Sequence, residues 1–187
     1  MLEEMQEGAK RIKRIVEDLK DFARRDDNAA MELIDVNSVV QAAVRLVDSS
    51  IRKSTDYFQT HYEGSLPLVR GNAQRIEQVL VNLILNACQS LPNPGREIVL
   101  TTFFDPVTNS LVIRMRDEGS GIAPEHLPHL ADPFFTTKRE SGGTGLGLSI
   151  SAEIVKEHGG TLTFESTLNQ GTTVTLMLPS ARGEESL

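Results

Sequence analysis

Asn82 and Asn86 stand one helical turn apart, and Gln78 precedes them at the same spacing, i, i+4, i+8. Asparagine is a mediocre helix former because its amide competes for nearby backbone groups. Two of them inside an otherwise apolar run form either a solvated polar face or a carboxamide pair. Such a pair offers oxygens to a hard cation such as Mg²⁺. A second cluster is Asp117-Glu118-Gly119-Ser120-Gly121, directly after a strand pattern. An aspartate at a strand end can accept a hydrogen bond from an exocyclic amine. Two glycines let backbone approach a planar ring closely, although glycine turns are common on their own. A third is Gly142-Gly143-Thr144-Gly145-Leu146-Gly147-Leu148, which leads into a helix pattern. Amides at a glycine-rich helix start attract anions, and the helix dipole adds to them. No Gly-Lys-Ser/Thr follows, so the run is no Walker A loop. The third glycine of a dinucleotide fingerprint would fall on Leu148. Between the last two clusters lies Asp132-Pro133-Phe134-Phe135-Thr136-Thr137-Lys138. Its adjacent phenylalanines suit the anchor of a lid, and Lys138 is placed to meet phosphate.

These clusters need elements to position them. Residues 73–91 read as a helix capped by Asn72, with Ile76, Val79, Leu80, Leu83, Ala87 and Leu91 on its apolar face. A further helix over 146–158 is ended by Gly159-Gly160. Arg96–Phe104 and Ser110–Arg116 alternate around Asp105-Pro106-Val107-Thr108-Asn109, a hairpin signal, and Thr161–Ser166 with Thr172–Leu178 form a second. Glu32–Val36 is a short strand candidate, and Asn37 caps a helix to about Lys53. Residues 56–62 and 66–70 are two more strands. Consecutive hairpins imply an α+β, two-layer sandwich. A mixed, mostly antiparallel sheet of about five strands is covered on one face by three helices. Ahead of this domain, Met5, Ala9, Ile12, Val16, Leu19 and Ala23 recur at alternating steps of four and three. That is a bundle or coiled-coil stripe over residues 2–25, about 36 Å long. A lone helix cannot bury its own stripe, so it wants a partner helix.

Composition bounds the reading. The chain has 187 residues, with 19 Lys and Arg against 26 Asp and Glu, a net charge of −7. Nucleic-acid binders carry the opposite sign. Cys88 is the single cysteine, which excludes an intrachain disulfide and a cysteine-rich zinc cage. No apolar run approaches a membrane span, and MLEEMQEGAKRIKR holds no signal core. The expected setting is cytoplasmic, although a parent protein could be membrane-anchored.

Taken together and in this order, the paired-Asn helix, the Asp-x-Gly-x-Gly turn, the Phe-Phe loop and the Gly-x-Gly-x-Gly helix start resemble the N, G1, F and G2 boxes of sensor histidine kinases. Those kinases belong to the ATPase superfamily of DNA gyrase, heat-shock chaperones and mismatch-repair ATPases. The resemblance covers about residues 28–180, leaving 181–187 as a tail. Residues 1–27, with Gly8-x-x-Arg11-Ile12-x-x-Ile15-Val16-x-x-Leu19-x-x-Phe22, look like the second helix of the dimerisation and phosphoacceptor hairpin. The resemblance implies ATP and Mg²⁺ as ligands. Asp117 would hold the adenine amine, with Gly121 nearby and Thr172 reinforcing it through water. Asn86 would bind Mg²⁺, with Asn82 beside it. Lys138 and the backbone of Gly143, Thr144, Gly145, Leu146 and Gly147 would hold the phosphates. Gly119, Ile122, Phe135 and Leu148 would complete the nucleotide site, and residues 122–147 would form a mobile lid. Asn82, Asn86 and Lys138 would be the residues that carry the reaction.

In gyrase-type hydrolases a glutamate stands four residues before the metal asparagine and activates water. Here that position is Asn82, and a neutral amide is a poor base. This argues for transfer to a protein acceptor. The acceptor histidine itself is absent, because His61, His126, His129 and His158 all lie outside residues 1–27. His126 and His129 read as surface residues of the lid, and His158 suits a helix C-terminus by the dipole argument. The expectation is a catalytic fragment that phosphorylates a histidine on a dimerisation helix. Relay to a response regulator receiver domain would follow, with homodimerisation through the N-terminal helix in the full-length protein. Two other readings are an ATP-hydrolysing conformational clamp and a non-catalytic nucleotide-sensing module that binds a partner.

Overall fold

A computed structural model describes residues 30–137 and 143–181. The expected N-terminal helix, Lys138, Gly142 and the chain end from residue 182 lie outside the described residues.

Within them, seven strands and three helices alternate: β1 (Glu32–Ile34), α1 (Val36–Ser54), β2 (Tyr57–Tyr62), β3 (Val69–Gly71), α2 (Ala73–Ser90), β4 (Glu97–Asp105), β5 (Ser110–Asp117), α3 (Gly147–Glu157), β6 (Thr161–Thr167) and β7 (Gly171–Pro179). Five strands form one mixed sheet in the order β2-β4-β5-β7-β6. Only β2 and β4 run parallel. Strands β1 and β3 make a separate antiparallel ladder, and Val69 bridges to Ser180. The α+β sandwich expected from the hairpins is therefore the fold.

The three helices pack on one sheet face. Ile76, Leu80 and Ile84 of α2 join Ile98, Leu100, Leu111, Leu176 and Leu178 of the sheet and Ile154 of α3 in a single core. Each fully buried aliphatic side chain contributes about 1.5–3 kcal/mol of transfer free energy. Helix α2 lies at the centre, touching α1, α3, β5 and β7. Its apolar face is spent on this packing, which leaves the Gln78–Asn82–Asn86 side to face elsewhere.

Most boundaries shift from the sequence reading by a residue or so, and three differences near the start of the domain have a clear cause. Asp35, not Asn37, caps α1, and its carboxylate accepts from Asn37 N–H at 3.0 Å and Ser38 Oγ at 2.7 Å. Asn37 is recruited elsewhere: its Nδ2 donates to the Glu63 carbonyl at 2.9 Å, and its Oδ1 accepts from Thr102 Oγ1 at 2.6 Å. Beginning the helix at Val36 also shortens β1 to three residues. Strand β3 begins at Val69 rather than 66, because Pro67 has no N–H to give a ladder. Asn72 caps α2 as expected, accepting from Arg75 N–H at 2.9 Å.

Candidate nucleotide-binding site

One cavity of about 650 Å³ opens between α2, the end of β5, the following loop and the start of α3. That size is typical of small-molecule sites. Gln78, Asn82 and Asn86 all line it, so the polar side of α2 is a cavity wall rather than a solvated face. Asp117, Gly121, Ile122, Phe135, Gly143, Thr144, Gly145, Gly147, Leu148 and Thr172 line it too. Residues from four separate sequence clusters thus meet around one space. Two expected site residues do not line it. Gly119 instead donates its N–H to Asp117 Oδ1, and Leu146 is 1% exposed in the core.

Asp117 is the buried carboxylate of the cavity wall, 4% exposed. Strand pairing sets it opposite Thr172 on β7. Its Oδ1 accepts from Gly119 N–H at 2.8 Å and lies 3.0 Å from Ser90 Oγ. Beside it, Ser166 Oγ contacts Thr172 Oγ1 at 2.9 Å and accepts from Ile122 N–H at 2.8 Å. Gly121 has φ +65° and lies so close to the Thr167 carbonyl that a Cβ would come within 2.1 Å of its oxygen. The glycine is thus required by the chain's own packing, whatever ring approaches it.

Asn82 joins α2 to α3. Its Nδ2 donates to Ser151 Oγ at 2.9 Å, so the amide orientation is fixed and Oδ1 is turned toward Gly147. A Cβ on Gly147 would meet that oxygen at 2.6 Å. Helix α3 begins there. Its N-cap, Leu146, makes no side-chain cap hydrogen bond, whereas α1 and α2 are both capped by side chains. The start of α3 lies beside the cavity, and the N-terminus of a helix suits anions.

Carboxamide oxygens of Asn82 and Asn86 are suitable hard ligands. Among the described residues no group of three His, Cys, Asp or Glu could hold a metal. A dication here would therefore depend on oxygens brought by its ligand, as Mg²⁺ does when it travels with phosphates.

The Phe-Phe loop divides its labour. Phe135 packs against the rings of His126 and His129, at 5.5 and 5.8 Å between centroids. Phe134 is 58% exposed at φ +67°, so only one of the pair anchors the loop. His129 is exposed, as expected, and pairs with Asp132 at 2.8 Å. His126, read as a surface residue, lines the cavity instead. The dipole account of His158 also needs correction. The ring is buried, its Nδ1 lies 2.6 Å from the Ile154 carbonyl, and its Nε2 accepts from Asn72 N–H at 3.0 Å. It is a hydrogen-bonded clasp between α3 and the start of α2. Sequence reasoning also missed Ser90, Ser151, Met115, Ile150, Phe164, Leu168 and Val174 as lining residues. The apolar ones read as ordinary core or edge positions, and the serines carry no motif.

Comparison with known proteins bears on family and fold. The family model described as histidine kinase-, DNA gyrase B- and HSP90-like ATPase matches residues 71–182. Sensor histidine kinase ZraS of Escherichia coli K12 is 33% identical over 175 residues, which is 94% of this chain and 36% of that protein. This chain therefore spans about a third of the length of that curated relative. The catalytic domain of histidine kinase ThkA superposes with TM-score 0.70 at 28% identity, covering 80% of this chain and 95% of that domain. ThkA in complex with response regulator protein TrrA gives TM-score 0.77 at 24% identity, covering 96% of this chain and 50% of that one. This second superposition is a likeness of fold.

Proposed function

The chain belongs to the histidine kinase-, DNA gyrase B- and HSP90-like ATPase family, and we propose that it is the catalytic part of a sensor histidine kinase. In this reading it binds Mg-ATP and transfers the γ-phosphoryl group to a histidine on a dimerisation helix. The observation that carries the reading is convergence. Asp117, the Asn82–Asn86 pair and the start of α3 open on one cavity.

Each group has a task. Asp117 accepts from the adenine amino group at the closed end. The α3 amides, with Lys138 from outside the described residues, hold the phosphates. Asn86, with Asn82 beside it, supplies oxygens to Mg²⁺, which would neutralise charge on the phosphates. An imidazole nitrogen is already nucleophilic. Its lone pair forms the N–P bond as the bond from the γ-phosphorus to the ADP oxygen breaks. The domain's contribution is then positioning and charge neutralisation. Asn82 supports transfer over hydrolysis. It stands where a hydrolase would hold its water-activating glutamate, is a neutral amide, and already donates to Ser151.

Residues 1–27 are proposed as the second helix of the acceptor hairpin, and 28–180 as the catalytic domain. In the full-length protein that helix would support a homodimer. ThkA has been seen with a response regulator protein, and a receiver domain is the proposed destination of the phosphoryl group here. A cytoplasmic setting is part of the same proposal; among the described residues no helix is long and apolar enough to cross a membrane.

Calorimetric titration with a non-hydrolysable ATP analogue, with and without Mg²⁺, tests the binding half. Saturable one-site binding that weakens without Mg²⁺ and with Asn86→Ala is expected. Absence of binding at millimolar analogue overturns the proposal.

A further inference from the structure

Ser90 ends α2 one turn after Asn86. Its hydroxyl lies 3.0 Å from Asp117 Oδ1 and 2.7 Å from the Ala87 carbonyl. Its own carbonyl accepts from Ser120 N–H at 3.0 Å. The end of α2 is therefore joined to the turn after β5 by both side chain and backbone. On Gly119, a Cβ would sit 2.0 Å from Ser90 Oγ and 2.5 Å from Asp117 Oδ1. The space a side chain would need at 119 is taken by the Ser90–Asp117 contact.

We propose that Ser90 is a positioning residue for base selection: it fixes the Asp117 carboxylate as an acceptor, so the cavity takes a 6-aminopurine and turns away a 6-oxopurine. The proposal rests on the ATP reading above. The hydroxyl has one proton and two acceptors within reach. A bond to a carboxylate is the stronger of the two, and turning the proton to Ala87 would set an oxygen lone pair against Oδ1. With Ser90 and Gly119 N–H both donating, Oδ1 is committed to the protein, and this sets the rotation of the whole carboxylate. An adenine amino group donates to such a carboxylate. A hypoxanthine carbonyl at the same ring position can only accept, and is repelled. Sites built to hydrogen-bond one such group discriminate strongly against the analogue lacking it.

Removing the hydroxyl leaves only the Gly119 amide among these two donors. The carboxylate is then held less firmly, and its preorganisation toward the amino group is weakened. Ser90→Ala should weaken an ATP analogue about fivefold to tenfold, the scale of one net hydrogen bond. It should leave the ITP analogue within about twofold, because that base gains nothing from a fixed acceptor. The adenine-to-hypoxanthine preference narrows accordingly.

The experiment titrates wild type, Ser90→Ala, Asp117→Asn and the double variant with Mg²⁺ and non-hydrolysable analogues of ATP and ITP. Thermal melts of each variant accompany the titrations. The expected result is a narrowed preference in Ser90→Ala, and no further narrowing when it is added to Asp117→Asn, the signature of coupling through one carboxylate. Equal weakening of both analogues, or an unchanged preference, overturns the role of Ser90 while leaving the ATP reading in place. Absence of ATP binding by wild type overturns both.

Discussion

Replacing Asp117 by asparagine isolates one atom of the proposed base contact. Oδ1 of Asp117 accepts from Gly119 N–H at 2.8 Å and sits 3.0 Å from Ser90 Oγ. Both neighbours can donate, so an asparagine must place its own Oδ1 in the same position. That forces its NH₂ into the place of the second carboxylate oxygen, facing the adenine amino group. A charge-assisted hydrogen bond becomes a contact between two donors. The loss is about 1.5–3 kcal/mol of binding free energy, or roughly 10- to 150-fold in affinity. Stability should change little, because the bonds to Oδ1 survive and the side-chain volume is conserved. Calorimetry with an ATP analogue measures the affinity, and a thermal melt measures the fold. Equal affinities for wild type and variant would refute the adenine contact. An affinity loss accompanied by a collapsed melting temperature would refute the orientation argument, since the Oδ1 bonds would then not have been preserved.

Other expectations follow from the same packing. Gly147→Ala drives a Cβ to 2.6 Å from Asn82 Oδ1 while Ser151 holds that amide at 2.9 Å, so it should cost about 1–3 kcal/mol; an unchanged melting temperature would contradict this. His158→Leu strands the Asn72 N–H that the ring accepts at 3.0 Å. A loss of about 1–3 kcal/mol is expected in urea unfolding, and full stability would show that the clasp is dispensable. Burial pushes the Cys88 thiol above its ordinary value of 9.0. The folded state thus keeps a proton that the unfolded chain releases, and the associated stability is present below pH 9 and lost as pH rises beyond it. Native protein should react slowly with a thiol reagent at neutral pH, and modification as fast as in urea would argue against the burial.

Much of the architecture was legible because hairpins and amphipathic helices are local. The turn Asp105–Asn109 joins β4 and β5 as its residue types suggested, with Asn109 at φ +49°. Asn72 was legible as a cap because its carbonyl and side chain serve the adjacent turn. Strand order was less accessible. Alternation tells which face a residue occupies, but not that β2 runs parallel to β4 at the sheet edge. The cap of α1 was misassigned because Asp35 and Asn37 are both good cap formers, and only the distant Glu63 and Thr102 decide between them. Of the site, the motif-bearing residues were visible and their supports were not. Ser90 is 27 residues from Asp117 and Ser151 is 69 from Asn82. Those pairs exist only after α2 has packed on β5 and α3.

Phosphoryl transfer tests the central claim most directly. The chain is incubated with Mg²⁺, ATP labelled in its γ-phosphoryl group, and a separately prepared dimerisation hairpin carrying its acceptor histidine. Label should appear on the hairpin in an acid-labile, alkali-stable form, be reduced by Asp117→Asn, and be absent from the chain itself. Release of label as free phosphate with none on the hairpin would contradict the account, and acid-labile label on His126 or His129 would place the acceptor in the loop beside the cavity.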